Sequence, residues 1–184
     1  MDIPGAVQLG TLGIGRINDD QKVTRVHCFS NPCTFKINEI VFGVTSTDVL
    51  FHMSAEETNS NLEPGSRLCR IAQHMLQQRS YYPLFPPPSS CPTNLDLKRM
   101  ENWHMPCMPD ILIVPSRLSC LATSVLESTV FVNPGHLTRG TTGGTYGIME
   151  IQPIKRETLD ESGGDGVKLQ HGVVDRINVE IKRI

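Results

Sequence analysis

Phe35 and Ile37 alternate with Thr34 and Lys36 ahead of Asn38-Glu39, and the mostly apolar, β-rich run Ile40 to Thr45 follows it. Such short runs suit strands, and Asn38-Glu39 reads as a two-residue turn, so the segment predicts a hairpin leading into a sheet. Asp48 to His52 reads as a further short β-rich run. The period then changes. Ser66 offers an N-cap, and Leu68, Ile71, Ala72, Met75 and Leu76 fall at the i, i+3, i+4, i+7 and i+8 positions of one helical face, which predicts a helix over 66–78. Beyond it, Tyr81-Tyr82-Pro83, Pro86-Pro87-Pro88 and Ser89-Ser90 break regular structure and predict an extended, exposed segment. The whole stretch 81–108 reads as a long loop, and loops of that length inside compact domains are usually functional, covered by a partner or mobile.

Asp110 to Val114 is a continuous apolar run of the kind found in buried central strands. Pro115-Ser116 ends it, and Ser116 is placed to cap a short helix whose apolar face is Leu118, Leu121, Ala122, Val125 and Leu126. Thr129 to Val132 and Thr145 to Ile151 read as strands, and Lys155 to Gly166 as a polar loop or insertion. Val173 to Ile184 contains a terminal strand with Ile177, Val179 and Ile181 on one side. Strand, helix, strand and then strands in series imply a mixed α/β layered domain. Between two of these strands lies the run Asn133-Pro134-Gly135-His136-Leu137-Thr138-Arg139-Gly140, followed by Thr141-Thr142-Gly143-Gly144-Thr145-Tyr146. Proline fixes the backbone and glycine frees it, so this loop should have a defined shape able to meet a ligand or a protein.

At 184 residues, with 39% hydrophobic and 20% charged, the composition is that of a globular protein with a real core. A formal net charge of -2 supplies no general positive field, so a long phosphate backbone has little to grip without a local basic patch. No apolar run approaches the roughly 20 residues that cross a bilayer, and MDIPGAVQLG lacks a basic segment followed by an apolar one. Neither secretion nor membrane spanning is expected. The six cysteines, Cys28, Cys33, Cys69, Cys91, Cys107 and Cys120, contain no C-x-x-C pair and read as reduced structural thiols.

Candidate chemistry is sparse. Gly10 to Gly15 fails the spacing of both phosphate-binding and dinucleotide loops. A two-metal phosphoesterase needs Asp, His and Asn clustered at strand ends to neutralise two cations and activate a water. His52 closes the run Val49-Leu50-Phe51, a place for a metal ligand and equally for a hydrogen-bonded structural residue. His136 follows Gly135, but position 138 is threonine, so no Gly-His-x-His pair exists. His27, His74, His104 and His171 have no partner at ligand spacing. There is no G-x-S-x-G elbow, Cys33 has no identifiable base, and Gly164-Asp165 lies in a polar loop where it reads as a turn. No catalytic, cofactor-binding or metal residue is assigned.

The segments SNPCTFKINEIVFGVTSTDVLFHMSAEE (30–57), QRSYYPLFPP (78–87), PDILIVPSRL (109–118) and VNPGHLTRGTTGGTY (132–146) closely resemble the carboxy-terminal part of the B subunits of eukaryotic DNA polymerase alpha. The likeness covers about 30–151. It implies part of a calcineurin-like phosphoesterase sandwich, catalytically inactive and used as a scaffold. In active relatives a strand-end histidine and a later Gly-His-x-His motif bind metal; by strand order those places resemble His52 and Pro115-Ser116-Arg117-Leu118, and the second set cannot coordinate two cations. The resemblance further implies a nuclear, non-enzymatic accessory subunit that grips the carboxy-terminal region of the catalytic polymerase subunit, links it to primase at replication initiation, and meets DNA mainly indirectly. The glycine loop, the Tyr81-Tyr82-Pro83 turn and the proline-rich segment are the expected contact elements, with Arg79, Arg117 and Arg139 as candidate anchors.

Two departures qualify that picture. Residues 1–24 match poorly, leaving 25–184 as the carboxy-terminal part of the phosphoesterase-like domain, and the chain is expected to be a fragment or an incomplete gene model. Sheet edges and apolar surface would then stand exposed. The alternative function is a metal-dependent phosphoesterase or nuclease, which demands ligands the chain does not display.

Overall fold

The computed structural model describes residues 27–60, 65–90, 93–155 and 172–184. It is a mixed α/β fold. A five-stranded sheet has the order β1-β2-β3-β5-β4, where β1 is Cys33–Ile37, β2 Ile40–Val44, β3 Ile111–Ile113, β4 Leu121–Val125 and β5 Thr129–Asn133. The central pairings, β2 with β3 and β3 with β5, are parallel, and both outer pairings are antiparallel. The hairpin turn is at Asn38-Glu39, with Ile37 opposite Ile40 and Asn38 taking φ 53°, a conformation asparagine tolerates better than most residues.

Two helices cover one face of this sheet: α1, Val49–Glu56, and α2, Arg67–Gln77. Ser66 caps α2 by accepting from the Cys69 N–H, and the stripe Ile71, Ala72, Met75 and Leu76 is buried as its spacing predicts. These side chains pack with Val49 and Leu50 of α1 against Leu112, Val114, Val125 and Phe131 of the sheet side. The opposite face carries Ile40, Ile111, Val130 and Val132. It is covered by a two-stranded antiparallel ribbon of β8, Thr145–Ile151, and β9, Ile177–Arg183, through Met149, Ile151, Ile177 and Val179. Adjacent residues of β3 and β5 thus point into different cores. That explains why these strands read as unbroken apolar runs rather than as alternating ones. A small hairpin, β6 Thr138–Arg139 with β7 Thr142–Gly143, completes the named strands.

Three expectations are corrected. Asp48 to His52 is not a strand: Asp48 is the N-cap of α1, its carboxylate accepting from the Phe51 N–H, and Val49, Leu50, His52 and Met53 are buried at helical spacing. The predicted helix after Ser116 is instead β4, whose alternating Leu121, Thr123 and Val125 turn inward while Ala122 and Ser124 are exposed. Leu121 and Val125, four apart, satisfy both periods; the free edge of β5 offers β4 a complete ladder, and Leu126 and Glu127 make the turn with positive φ although neither is a turn former. The stretch after α2 is also not an open loop. It contains a 3-10 segment, Leu97–Trp103, and buries Tyr81, Tyr82 and Met105 in the helix-side core; Pro86, Ser89 and Ser90 are exposed as expected, whereas Pro87 is half-buried and Pro88 buried.

Gly10–Gly15, Cys91, Gly164-Asp165, His171 and most of the loop expected from Lys155 to Gly166 lie outside the described residues. Among the described residues no helix is long and apolar enough to cross a membrane.

Candidate functional site

The chain leaves β2, β3 and β5 on one side of the sheet, because these three strands are parallel, and open α/β sheets bind ligands at such carboxyl ends. Three polar groups meet there: Asp48 beyond β2, Ser116-Arg117 beyond β3, and Asn133 at the end of β5. All are tied to the fold. Asp48 Oδ2 accepts from the Arg117 backbone N–H at 3.0 Å and from its Nε at 3.2 Å, in addition to the α1 cap. The Arg117 guanidinium also lies over the Phe51 ring, 4.4 Å from its centroid. Burial alone would push the Asp48 carboxyl up, but hydrogen bonds from Ser116, from the N–H groups of Arg117 and Phe51 and from the guanidinium outweigh it and hold the group below its ordinary range.

Asn133 is fully buried and saturated. Its Oδ1 accepts from the N–H of Ser116 at 2.8 Å and of Gly135 at 2.9 Å, while Nδ2 donates to the carbonyls of Ser119 at 3.0 Å and Leu118 at 3.5 Å. One amide therefore fixes both the turn after β3 and the start of the glycine loop. That loop folds back on itself. Gly135 takes φ +77°, where a Cβ would collide with Thr145 Oγ1, and a Cβ on Gly144 would run into the His136 carbonyl oxygen. Paired hydrogen bonds from the N–H groups of Gly144 and Thr145 to Leu137 and His136, each 2.9 Å, close it.

His52 sits on α1, not at a strand end, and its Nδ1 lies 3.0 Å from the Tyr82 hydroxyl and 3.2 Å from Thr93 Oγ1. Burial pushes its pKa below the ordinary value, with Arg117 adding to the effect and Asp48 opposing it. His136 is exposed some way along the loop, and His27, His74 and His104 are exposed elsewhere. Among the described residues no three His, Cys, Asp or Glu side chains converge to hold a metal ion. Burial raises the Cys33 thiol, which disfavours a reactive thiolate, and the described cysteines are all free thiols.

The expected contact elements are only partly exposed. Tyr81 and Tyr82, at 2% and 8% exposure, belong to the core, so they are corrected as contact residues. The glycine loop keeps Leu137 at 63% and Phe85 keeps 73%. Of the candidate anchors, Arg79 donates to the Pro106 carbonyl, Arg117 is held by Asp48, and Arg139 stands exposed on β6. Asp48 and Asn133 were not singled out from sequence as organising residues. The available signals were Asp48 ahead of the helix-forming run Met53–Glu56 and asparagine immediately before Pro-Gly, a side-chain-to-backbone turn pattern.

Fold and site together define a mixed α/β protein whose strand-end polar groups are bonded to one another and whose shaped loops are on the surface. Residues 14–123 match the family of DNA polymerase alpha/epsilon B subunits. The chain is 39% identical over 157 residues to the DNA polymerase alpha B subunit of Mus musculus, covering 85% of this chain and 25% of that protein. To the corresponding B subunit of Schizosaccharomyces pombe it is 39% identical over 161 residues, 85% of this chain and 27% of the relative, and to that of Saccharomyces cerevisiae 30% over 187 residues, 84% and 26%. The chain belongs to the DNA polymerase alpha/epsilon B-subunit family. It spans about a quarter of the length of these curated relatives.

Proposed function

We propose that the chain is part of a non-catalytic accessory subunit of DNA polymerase alpha–primase, acting in the nucleus at the initiation of DNA replication. Its fold is read as the carboxy-terminal part, residues 25–184, of a calcineurin-like phosphoesterase domain, with helices, central sheet and ribbon as successive layers. In this role the domain grips the carboxy-terminal region of the catalytic polymerase subunit, connects it with primase, and reaches DNA mainly through the complex. No catalytic, cofactor or metal residue is assigned.

The observation that carries this reading is at the carboxyl ends of β2, β3 and β5. A hydrolase keeps carboxylate, imidazole and amide groups there with free lone pairs for cations and water. Here Asp48 holds Arg117 and a helix end, His52 faces Tyr82 and Thr93, and the Asn133 amide is saturated by backbone. Side chains engaged in this way support the scaffold reading, because their bonds join separate elements of the fold.

The alternative, a metal-dependent phosphoesterase or nuclease, is separated by assaying manganese-dependent nuclease activity on the purified full-length protein. The accessory reading expects none above a no-protein control. Activity that disappears with His52→Ala would overturn it.

A further inference from the structure

Arg117, His136, Thr138, Arg139 and Gly140 line an open recess of about 400 Å³ between the turn after β3 and the β6–β7 hairpin. Beside it, and sharing Arg139, is a smaller recess of about 230 Å³ that reaches Thr142, Thr145 and Arg183. Among the described residues no carboxylate side chain lines either one. The side chains of Arg139 and Arg183 make no hydrogen bond or ion pair with any described residue, and the terminal nitrogens of Arg117 make none beyond its Nε contact with Asp48. In a protein of formal net charge -2 this is a concentrated local exception.

Arg117 is also held in place. Asp48 fixes its Nε and Phe51 supports its plane, so docking an anion on the outer nitrogens costs little further ordering. Asp48 itself is largely covered, with 11% of its side chain accessible, and faces the guanidinium from the protein side. The main-chain oxygen of Ile184, which in this chain belongs to the terminal carboxylate, lies near Gly143 in the smaller recess, so the larger recess carries most of the argument.

We infer that these two recesses are a direct contact site for the phosphodiester backbone of a nucleic-acid strand, with Arg117 and Arg139 on one phosphate and Arg139 and Arg183 towards the next. Guanidinium, threonine hydroxyl and glycine backbone are the groups that meet phosphate oxygens without reading bases. An acidic protein segment would present carboxylates too, but it would also need apolar pockets for its side chains, and among the described residues no leucine, valine, isoleucine, phenylalanine, tyrosine or tryptophan lines these recesses. The site adds a direct contact to the mainly indirect access to DNA described above and stands without the accessory-subunit reading.

The test is fluorescence anisotropy of a short labelled oligothymidylate against the chain between about 50 and 200 mM salt, the range over which phosphate contacts weaken most visibly. Arg139→Gln and Arg183→Gln are exposed changes, and Lys36→Gln, on the far edge strand β1, is the matched loss of charge elsewhere. The expected result is salt-sensitive binding that Arg139→Gln weakens several-fold, with the slope of log affinity on log salt reduced by about 0.7 for each phosphate no longer neutralised, and that Lys36→Gln leaves unchanged. Absence of binding at the lowest salt, equal effects of Lys36→Gln and Arg139→Gln, or stronger Arg139-dependent binding of a polyglutamate peptide than of the oligonucleotide would each overturn the assignment.

Discussion

The Tyr81 hydroxyl stands against Gly43, where an added Cβ would lie 2.7 Å from it. Glycine at this point of β2 lets the tyrosine ring cross the strand and reach β1, where its Oη donates to the Cys33 carbonyl at 3.0 Å and lies 2.6 Å from Thr34 Oγ1. The loop after α2 is thereby fastened to the edge of the sheet. Gly43→Ala is expected to displace the ring and destabilise the protein by about 1–3 kcal/mol, seen as a lower urea midpoint. Tyr81→Phe loses the hydrogen bonds at a cost of about 1 kcal/mol but also relieves the collision. The double variant should therefore cost less than the sum of the two single changes, and simple additivity would contradict the close approach of ring and strand.

Asn133 yields a prediction with an unusual pH signature. In Asn133→Asp the two acceptor bonds can persist, but a carboxylate is brought against the Ser119 and Leu118 carbonyls that Nδ2 served. The expected cost at neutral pH is about 3 kcal/mol. Burial raises the pKa of the new carboxyl above its unfolded value, and protonation restores a donor, so the loss should shrink as pH falls. Denaturant titrations of the variant and parent at pH 7 and pH 5 measure the difference directly.

The Asp48 cluster predicts a graded series. Asp48→Ala removes the α1 cap together with the acceptor for Arg117, at a cost of about 2 kcal/mol, whereas Asp48→Asn keeps a capping oxygen and should cost less. Thermal unfolding should rank parent, Asn and Ala in falling order.

His52 sets a pH dependence of opposite sign to that of the Asn133 variant. Its folded pKa is depressed below the ordinary 6.5 by burial, so the unfolded chain takes up a proton first and stability drops as pH falls below about that value. His52→Gln retains a polar group near Tyr82 and cannot titrate. It should flatten the stability profile between pH 6.5 and the folded pKa, leaving the carboxylate-driven loss at lower pH, to which the depressed Asp48 contributes as pH falls through and below 3.8. Urea midpoints across this range provide the check.

Much of the frame was legible because its signals are local and redundant. The stripe on α2, the Ser66 cap, the Asn38-Glu39 turn and the apolar run of β3 all appear where their periodicity puts them. The misreadings arose where one set of residues fits two periods. Val49, Leu50 and Phe51 suit a strand by composition but obey Asp48 as a cap, and Leu121–Val125 suits a helix by spacing but pairs with the edge of β5. The candidate site was less legible because its bonds join residues far apart in sequence: Asp48 to Arg117, Ser116 to Asn133, His52 to Tyr82. Scattered histidines could be noted from the chain alone, but the partners that engage them could not. The segment resemblance to polymerase alpha B subunits agrees with family membership.

The central claim, that this domain serves as a gripping scaffold rather than as a hydrolase, is tested most directly by co-purification. The full-length form carrying these residues should be expressed with the catalytic subunit of DNA polymerase alpha, with and without that subunit's carboxy-terminal region, and resolved by size-exclusion chromatography. The account predicts one stoichiometric complex that disappears when the carboxy-terminal region is removed; separate elution of the two intact proteins would contradict it.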